Sequence, residues 1–438
     1  MLDPSEAFGY REQRRTSRTL YGIVRRTDKQ LVMFCRLCNS INLQKSLSLG
    51  PTYIADTFTF KPYSQSAKYD YDIWVCLDCF HVQSFDVVDP EILFGSSYTY
   101  TPGYSSSLRA DFQAYVDYLV DKGYLVHDSV LLDIGSNDGL FLDCARKTLD
   151  CTVYGIEPAK APREYALAQG IHTLPYFFNN ETVTKYLKEC PRPNLISANN
   201  VFAHCDNLQS FAEGISSLLN EGGYFCFEFS YLVDIIEKDL IGAYFHEHLS
   251  HHSLTSLKTF LAAYNLHLVD ALTTSSQGGS VIAIAVKSEV VPEVTLEVKN
   301  LLSLEASLGL CDASLVTRLT NSVTRAQFAY KSATASLPPK AKIGIFGASR
   351  SLATFDSVFN MLEGVSAIYD DNPTKVGKYY PGSQIRIYPT QNIEADQPDV
   401  LIIAAWVPTE KVLSVIRSRF QVKYVIRLLS PITCLVNE

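Results

Sequence analysis

Short apolar runs and amphipathic stretches alternate along most of the chain. The apolar run Val130–Ile134 is followed by a glycine turn and then by an amphipathic helical pattern. The segments "CTVYGIEPA", "PNLISANNVFAHCDNL" and "NEGGYFCFEFSY" supply three further strands. Strands that alternate with helices predict an α/β fold with a parallel, doubly wound sheet, whose ligands bind at the carboxyl ends of the strands.

A second unit of this kind lies towards the end of the sequence. The double proline at Pro338 and Pro339 marks a boundary. After it, "KIGIFGASRSLATFDSVFNML" gives a strand, a glycine turn and a helix, and "DVLIIAAWVPTEKVLSVI" gives a later strand and helix. Segment 292–339 has helical periodicity and a single glycine. We therefore predict a smaller Rossmann-like unit that a helical connector joins to the first.

Two CxxC pairs stand near the start of the chain, with thirty-seven residues between them: Cys35, Cys38, Cys76 and Cys79. Two thiolates three residues apart in a tight turn can take two corners of a tetrahedron around one zinc ion. A second pair then closes the site. We predict a small domain held together by structural zinc. Redox-active or merely buried cysteines are the alternative.

The bulk composition restricts the function. The 438 residues are 47% hydrophobic and 19% charged, as in ordinary globular proteins with substantial cores. A net charge of -8 argues against general nucleic-acid binding, and no run approaches the roughly 18 apolar residues of a membrane span. The arginine-rich N-terminus lacks the apolar core of a secretory signal, and the scattered cysteines suit a reducing compartment. We expect a cytoplasmic protein with neither membrane nor nucleic-acid polymer as partner.

The turn "DIGSNDG" predicts a cofactor site. Gly135 and Gly139 let the backbone approach a ligand closely, but their spacing is not GxGxxG. Polar residues between them favour a ligand with an amine and a carboxylate, S-adenosylmethionine (SAM), over NAD. Glu157 ends the second strand, where it can accept hydrogen bonds from ribose hydroxyls, and Asp133 or Asp138 can hold an ammonium group. The expected cofactor contacts are Asp133, Gly135, Ser136, Asn137, Asp138, Gly139, Glu157, Pro158, Asn199 and Asn200.

Several motifs, taken together and in this order, resemble those of one family. They are CxxC…CxxC, "LLDIGSNDGLFL", "NNVFAHCDNL", "HEHLS", "GGSVIAIAV", "IGIFGAS" and "YDDNPTKVGKYYPGSQIRI". From 34 to 428 the chain is similar to the SAM-dependent sugar C-methyltransferases, which act on nucleotide-linked keto-deoxysugars. The resemblance implies that a zinc-binding domain, a SAM domain and a Rossmann-like C-terminal domain enclose the sugar nucleotide.

This resemblance divides the chain into five segments. An N-terminal extension (1–30) precedes the zinc-binding domain (31–95). The SAM-dependent methyltransferase domain (96–290) and the helical connector (291–337) follow. The last segment (338–438) is the Rossmann-like domain expected to bind the sugar nucleotide.

The resemblance also implies roles for single residues. His248, the last histidine of "HEH", matches the proposed base, and Glu247 would orient or assist it. His204 matches a second active-site histidine, and Tyr98 and Tyr100 match the family's tyrosine motif. A histidine can remove a proton from a carbon next to a ketone, which makes that carbon nucleophilic. A metal site here is not expected, because "HEHLSHH" lacks the spacing HExxH.

The implied substrate contacts are Tyr104, His246, Gly347, Ser349, Arg350 and Lys375. The loop "FGASRS" would approach the diphosphate, with Arg350 pairing with its charge. Two departures from the family stand out. Phe245 replaces a tyrosine and cannot donate a hydrogen bond, while His251 and His252 replace aromatic residues and are expected to make ordinary polar contacts.

The sequence thus predicts a SAM-dependent C-methyltransferase with structural zinc. Its expected substrate is a dTDP- or GDP-linked 4-keto-deoxysugar, deprotonated next to the ketone and then methylated. The oligomeric state is expected to be a monomer or a homodimer. Three alternatives stay open: an O- or N-methyltransferase on a related sugar, a sugar-nucleotide-binding protein without catalysis, and a dehydrogenase that uses the C-terminal glycine turn.

Overall fold

The computed structural model describes most of the chain and resolves it into sheets flanked by helices. The residues it describes are 24–27, 30–63, 67–95, 106–405, 409–429 and 431–436. Tyr98, Tyr100 and Tyr104 lie outside this set, so their expected roles stay predictions. Among the described helices, none is both long enough and apolar enough to cross a membrane.

The strands and helices follow one another in an order that fits an α/β protein. In chain order the strands are β1 (Val24–Thr27), β2 (Gln30–Met33), β3 (Leu43–Ser48), β4 (Asp72–Cys76), β5 (Val82–Gln83), β6 (Val130–Ile134), β7 (Thr152–Ile156), β8 (His172–Leu174), β9 (Leu195–Asn199), β10 (Tyr224–Ser230), β11 (Ser250–His251), β12 (Leu266–Thr274), β13 (Ser280–Lys287), β14 (Ile343–Phe346), β15 (Val365–Tyr369), β16 (Ile387–Tyr388), β17 (Val400–Ile403), β18 (Tyr424–Arg427) and β19 (Thr433–Val436). The helices are α1 (Pro90–Phe94), α2 (Ser106–Asp121), α3 (Leu140–Thr148), α4 (Lys160–Ala168), α5 (Asn180–Glu189), α6 (Leu208–Leu218), α7 (Leu232–Glu237), α8 (Leu254–Ala262), α9 (Leu296–Ser307), α10 (Ser314–Thr334), α11 (Leu352–Phe359), α12 (Asn392–Asp396) and α13 (Thr409–Arg419).

The central sheet has seven strands in the order β12-β13-β10-β9-β6-β7-β8. The five strands from β10 to β8 are parallel, which confirms the predicted α/β arrangement for this part. β13 is antiparallel to both β10 and β12, because β12 and β13 form a hairpin at one edge. The sheet is therefore mixed rather than wholly parallel. The order in which strands are added to the sheet reverses at β6, between β7 and β9, and such a switch point opens a crevice for ligands.

The zinc-binding unit has a four-stranded antiparallel sheet in the order β11-β5-β4-β3. The two cysteine turns have matching geometry, since the residue after each second cysteine is left-handed: Asn39 has φ 59° and Phe80 has φ 58°. The edge strand β11 comes from the segment that follows "HEH", and Ser250 and His251 pair with β5. The histidine-rich segment is thus built into the zinc-binding unit as well as into the central one.

The C-terminal sheet has the order β16-β15-β14-β17-β18-β19, parallel except for β19. This confirms the Rossmann-like prediction. Two helices, α9 and α10, occupy the segment that was expected to connect the units. Helix α10 touches each unit: the hydroxyl of Ser46 on β3 donates to Val316 at 2.7 Å, Arg325 donates to Ile236 on α7 at 2.8 Å, and Tyr330 stacks on a ring of α11 at 4.4 Å.

A buried arginine joins the zinc-binding unit to the central one. The side chain of Arg36, which lies inside the first CxxC turn, is fully buried and pairs with Asp206 at 2.8 Å. The same guanidinium donates to the carbonyl of Ser84 at 2.6 Å and lies 5.6 Å from the ring centre of Phe85. Because a buried charge needs its partner, this contact fixes how the cysteine turn sits against the loop after His204.

We expect Arg36→Met to destabilise the protein by about 3–5 kcal/mol, because it leaves Asp206 without its buried partner. Arg109→Met is the matched control. Arg109 is half exposed and pairs with a carboxylate that two other cations also contact, so its loss is expected to cost at most about 1 kcal/mol. Urea unfolding followed by tryptophan fluorescence measures both; equal losses contradict the assigned role of Arg36.

Candidate active site

The four cysteines of the two CxxC pairs converge in the structure. Their sulfur atoms all lie within 4.8 Å of one another. The Sγ atoms of Cys35 and Cys79 are 3.5 Å apart, as are those of Cys38 and Cys76. Zn–S bonds of about 2.3 Å in a tetrahedron place sulfurs about 3.8 Å apart, so the cluster fits zinc. Four thiolates leave no open coordination position, and zinc here is structural.

The glycine turn after β6 brings the backbone close to its neighbours. Gly135 has φ 69°, and a Cβ there would lie 2.4 Å from a methyl group of Val201. Gly139 has φ 79° and begins α3, where a Cβ would lie 2.6 Å from Ile171. Both positions therefore require glycine. Asp138 accepts a hydrogen bond from the backbone N–H of Leu140 at 3.2 Å, which fixes the start of the helix.

Two buried carboxyl groups flank this turn. Glu157 accepts hydrogen bonds from the backbone N–H groups of Asn137 at 3.0 Å and Ala159 at 2.6 Å, so it shapes the turn as well as facing a ligand. Asp133 accepts from the hydroxyl of Ser197 at 2.7 Å. Burial raises the pKa of Glu157 to about 6 and that of Asp133 to about 7. A cation that enters the crevice favours the ionised form of both groups.

The other expected cofactor contacts lie around the same crevice. The side-chain oxygens of Ser136 and Asn199 are buried and have no hydrogen-bond partner among the described residues. Asn200 is left-handed with φ 56° and donates to Glu228 at 3.2 Å. Pro158 directly follows the carboxylate that ends β7. Polar atoms without partners beside two acidic groups fit SAM, which carries hydroxyls, an ammonium and a sulfonium charge.

His248 is held in one orientation. Its Nδ1 lies 2.7 Å from the carbonyl oxygen of Ala243, which can only accept, so Nδ1 carries the proton and Nε2 has a lone pair. The hydroxyl of Tyr71 donates to the backbone carbonyl of His248 at 2.6 Å. Burial lowers the pKa of His248 to about 4. The ring is therefore neutral near pH 7 and can accept a proton at Nε2.

Four rings form a column through this site. His204 stacks on His248 with ring centres 5.1 Å apart, and Phe94 lies 5.5 Å beyond His204. Phe245 also packs against the ring of His248, with ring centres 4.0 Å apart and the ring planes inclined by 36°. Burial is also the main cause that holds the pKa of His204 well below its ordinary value. The structure thus brings the two expected catalytic histidines together, both neutral. Phe245 packs against His248, the expected base.

The first histidine of "HEH" points towards the zinc-binding unit. Nε2 of His246 lies 3.2 Å from the carbonyl oxygens of both Tyr69 and Asp70, and Nδ1 is 3.5 Å from the hydroxyl of Thr52. The residue is buried. These contacts attach the loop to the neighbouring unit. The expected contact of His246 with the substrate stays a prediction.

His251 and His252 are both fully buried rather than exposed on a loop. Nε2 of His251 lies 3.3 Å from the hydroxyl of Tyr71. His252 stacks between Phe202 at 5.1 Å and His81 at 5.5 Å. The expectation of ordinary polar contacts fits His251, but His252 is chiefly a packing residue.

Glu247 pairs with a cation rather than with His248. One of its carboxylate oxygens lies 2.9 Å from Nη1 of Arg350. No hydrogen bond joins Glu247 to His248 within the part of the chain that the structure describes. Nε and Nη2 of Arg350 lie 3.1 and 2.9 Å from Asp56. Arg350, expected to pair with a substrate diphosphate, instead contacts two carboxylates of the chain itself.

The other expected residues of the C-terminal domain gather at the end of β14. Gly347 has φ 96°, and a Cβ there would lie 2.9 Å from the backbone nitrogen of Ala405. Lys375 donates to the carbonyl of Ala348 at 2.9 Å. The Ser349 hydroxyl is buried without a partner among the described residues. The ammonium of Lys375 also lies 3.8 Å from a carboxylate oxygen of Asp370, so this loop carries polar groups and charges of both signs.

Sequence reasoning missed Tyr71, Asp56, Phe94 and Arg36. Tyr71 and Asp56 belong to the polar, tyrosine-rich stretch between the CxxC pairs, and nothing local marks which of its residues turn inward. Phe94 is the last residue of α1. Asp89 as N-cap and Pro90 as first helical residue are a sequence signal for the start of this helix. The position of Arg36 inside a CxxC turn was visible, but its partner is 170 residues away.

We expect Glu157→Gln to weaken SAM binding by about tenfold or more, because an amide nitrogen cannot accept the hydrogen bonds that the carboxylate accepts. Glu164→Gln is the control, since Glu164 is exposed on α4 and pairs only loosely with Lys160 at 3.7 Å. Calorimetric titration with SAM measures both variants. Equal affinities for Glu157→Gln and the parent chain contradict the assignment.

Three family models match the chain in the order of its units. They are described as "Putative zinc binding domain" over residues 35–94, "Methyltransferase domain" over 104–271 and "C-methyltransferase C-terminal domain" over 275–426. The protein named C-methyltransferase NovU from Streptomyces niveus is 26% identical over 376 residues, which cover 85% of this chain and 89% of that protein.

Solved methyltransferases align with part of the chain. The magnesium protoporphyrin IX methyltransferase ChlM from Synechocystis PCC 6803 with bound SAM is 14% identical, covers 41% of this chain and 79% of its own, and has a TM-score of 0.31. The N-methyltransferase NodS from Bradyrhizobium japonicum WM9 is 13% identical. The alignment covers 42% of this chain and 99% of NodS, with a TM-score of 0.33.

The four-cysteine cluster, the acidic crevice and the order of the matched domains agree with one another. They show a SAM-dependent C-methyltransferase that carries structural zinc. The matched domains, their order and the similarity to NovU fit the sugar C-methyltransferase family.

Proposed function

We propose that the protein methylates a nucleotide-linked 4-keto-deoxysugar, bound through dTDP or GDP, at the carbon next to the ketone. The resemblance of the motifs supports this substrate class, and the name of the relative from Streptomyces niveus, C-methyltransferase NovU, supports methylation at carbon. In this proposal His248 is the base. The loop after β14 binds the nucleotide part, in a C-terminal domain that begins near residue 338.

The observation that carries the proposal is the tautomer of His248. Its protonated Nδ1 is tied to the carbonyl of Ala243 at 2.7 Å, so the lone pair of Nε2 is fixed in direction. Burial lowers the pKa of the ring to about 4, so the ring is unprotonated at neutral pH. A base that abstracts a carbon-bound proton needs a fixed lone pair and a neutral ring at the working pH. The same burial weakens the ring as a base, and the enolate charge that develops beside it offsets this effect.

The chemistry follows from the acidity of a carbon next to a ketone. His248 Nε2 takes the proton from that carbon, and the electron pair of the C–H bond moves into the enolate. Negative charge that develops beside the ring stabilises the imidazolium as it forms. When bound, SAM supplies the electrophilic methyl group. The rings of His204 and Phe245 pack against the ring of His248 and leave the in-plane lone pair of Nε2 as the point where the proton is taken up.

The loop at the end of β14 suits a nucleotide diphosphate. Lys375 provides a positive charge, held at 2.9 Å from the carbonyl of Ala348. The hydroxyl of Ser349 is buried, and the described residues offer it no partner. Gly347 allows close backbone approach. We propose these three residues as the substrate contacts of the C-terminal domain.

We also propose that the protein is located in the cytoplasm, because a reducing compartment keeps the cysteines as thiolates that can bind zinc.

The direct test incubates the protein with labelled SAM and a panel of dTDP- and GDP-linked 4-ketosugars. We expect the product to gain one methyl group and to lose a ring C–H signal in the proton NMR spectrum. Without SAM, in D₂O, the same carbon is expected to exchange its proton for deuterium. A new O-methyl signal, or no exchange with any ketosugar, contradicts the proposal.

His248→Asn is expected to slow the exchange and the methylation by about 10²–10⁴-fold, the usual contribution of a general base. SAM affinity is expected to stay unchanged, because the side chain of His248 contacts Ala243, His204 and Phe245 rather than the residues expected to bind SAM. His127→Asn is the control, since His127 is exposed before β6. Loss of SAM binding in His248→Asn indicates misfolding rather than loss of the base, and retained exchange removes His248 from the mechanism.

A further inference from the structure

One arginine brings the three units of the chain together at the catalytic loop. Arg350 belongs to the C-terminal domain, Asp56 to the zinc-binding unit and Glu247 to the central unit. The guanidinium contacts Asp56 through Nε at 3.1 Å and Nη2 at 2.9 Å, and Glu247 through Nη1 at 2.9 Å. Its side chain is 18% exposed, while those of Asp56 and Glu247 are 9% and 5% exposed. All three charges are largely removed from water.

The start of α11 holds the backbone on either side of the carbonyl that orients the base. The hydroxyl of Ser351 donates to the carbonyl of Gly242 at 2.7 Å, and that of Thr354 donates to the carbonyl of Tyr244. Between them, the carbonyl of Ala243 accepts from Nδ1 of His248. Three consecutive carbonyls are thus fixed, two by the C-terminal domain and one by the base itself.

The charge of Arg350 is already matched. Its Nε, Nη1 and Nη2 all lie within contact distance of carboxylates. A substrate diphosphate brought to the same guanidinium would meet Asp56 and Glu247, so anion binding here is opposed by like charge. The same positive charge contributes to keeping His248 and His204 neutral, after the larger effect of burial.

We propose that Arg350 is a positioning residue for the methylation site: by bridging Asp56 and Glu247 it locks loop 242–248, which aims His248, rather than binding the substrate diphosphate. This proposal rests on the proposed function for the role of His248 as base. It makes the C-terminal domain a part of the catalytic unit, since the residue that fixes the loop is supplied from more than 100 positions away.

The first experiment separates positioning from substrate binding. In Arg350→Met we expect kcat for the ketosugar to fall on the order of 100-fold, as when a reacting group is misplaced by about 1 Å. The Kd values of the probes dTDP and GDP, measured by calorimetry, are expected to change less than twofold. Arg350→Lys keeps one positive charge but cannot bridge two carboxylates as a guanidinium does, so it recovers only part of kcat.

The second experiment needs no substrate. The pKa of Glu247 is about 7, raised by burial and lowered by Arg350. The charged groups that face Glu247 are Arg350 and Asp56, and the neighbouring histidines of the site stay neutral from pH 6 to pH 9 because their pKa values are lowered. As pH rises over this window, the parent chain ionises Glu247 against Arg350, whereas Arg350→Met must ionise it unpaired.

Arg350→Met is therefore expected to unfold at a lower urea concentration than the parent chain, and the difference between the two midpoints is expected to be larger at pH 9 than at pH 6. In a Glu247→Gln background this growth with pH is expected to vanish, while Arg350→Lys shows a smaller growth than Arg350→Met. Arg318→Met is the matched control. Arg318 on α10 forms an exposed pair with Glu237 on α7 at 3.3 Å, and neither kcat nor the pH dependence of the midpoint is expected to change.

Two results overturn the proposal. One is a rise of tenfold or more in the dTDP or GDP Kd with kcat retained, which assigns Arg350 to the diphosphate. The other is a midpoint loss that does not grow with pH, which means that Arg350 and Glu247 are not coupled. If no ketosugar is methylated by the parent chain, the proposed function fails by itself, and the urea measurements still decide whether Arg350 fixes the loop.

Discussion

The hydrogen bond from His248 Nδ1 to the carbonyl of Ala243 is the interaction on which the arrangement of the site depends. It selects the tautomer, fixes the ring and leaves Nε2 as the acceptor. The bond spans five residues, so a small change in the course of the loop breaks it. Every neighbouring unit accordingly contributes to holding that loop: Tyr71 from the zinc-binding unit, and Ser351 from the C-terminal domain.

The zinc site has a clear physical role in this scheme. It holds together two turns whose sheet is small, and one of these turns carries Arg36 into the interior against Asp206. Asp206 stands two residues after His204, which stacks on the base. The cysteine cluster therefore supports the stacked pair His204 and His248 through one buried ion pair.

A feature of this molecule can be predicted from the sequence when the residues that determine it lie close together along the chain. The CxxC pairs and the glycine turn of "DIGSNDG" are local, since chemistry and conformation are set by residues a few positions apart, and both were predicted. The course of β13, antiparallel at the sheet edge, was not predicted, because an apolar run does not state its direction. The partners of Arg350 were also missed: Asp56 is 294 positions away, and the motif alone suggested an anion. Whether Gly347, Ser349 and Lys375 bind the substrate stays a prediction.

Strand β11 sets an order in time for making this protein. Its two residues pair with β5, at positions 82 and 83, so the edge of the zinc-binding sheet waits for a segment that emerges about 170 residues later. At 5–20 residues per second, a ribosome needs on the order of 10–30 s to deliver it. During that interval β5 presents an open edge, the kind of surface on which chains pair wrongly. The cysteine turns can bind zinc during this interval. The bound ion then restricts the conformations that the incomplete sheet can adopt.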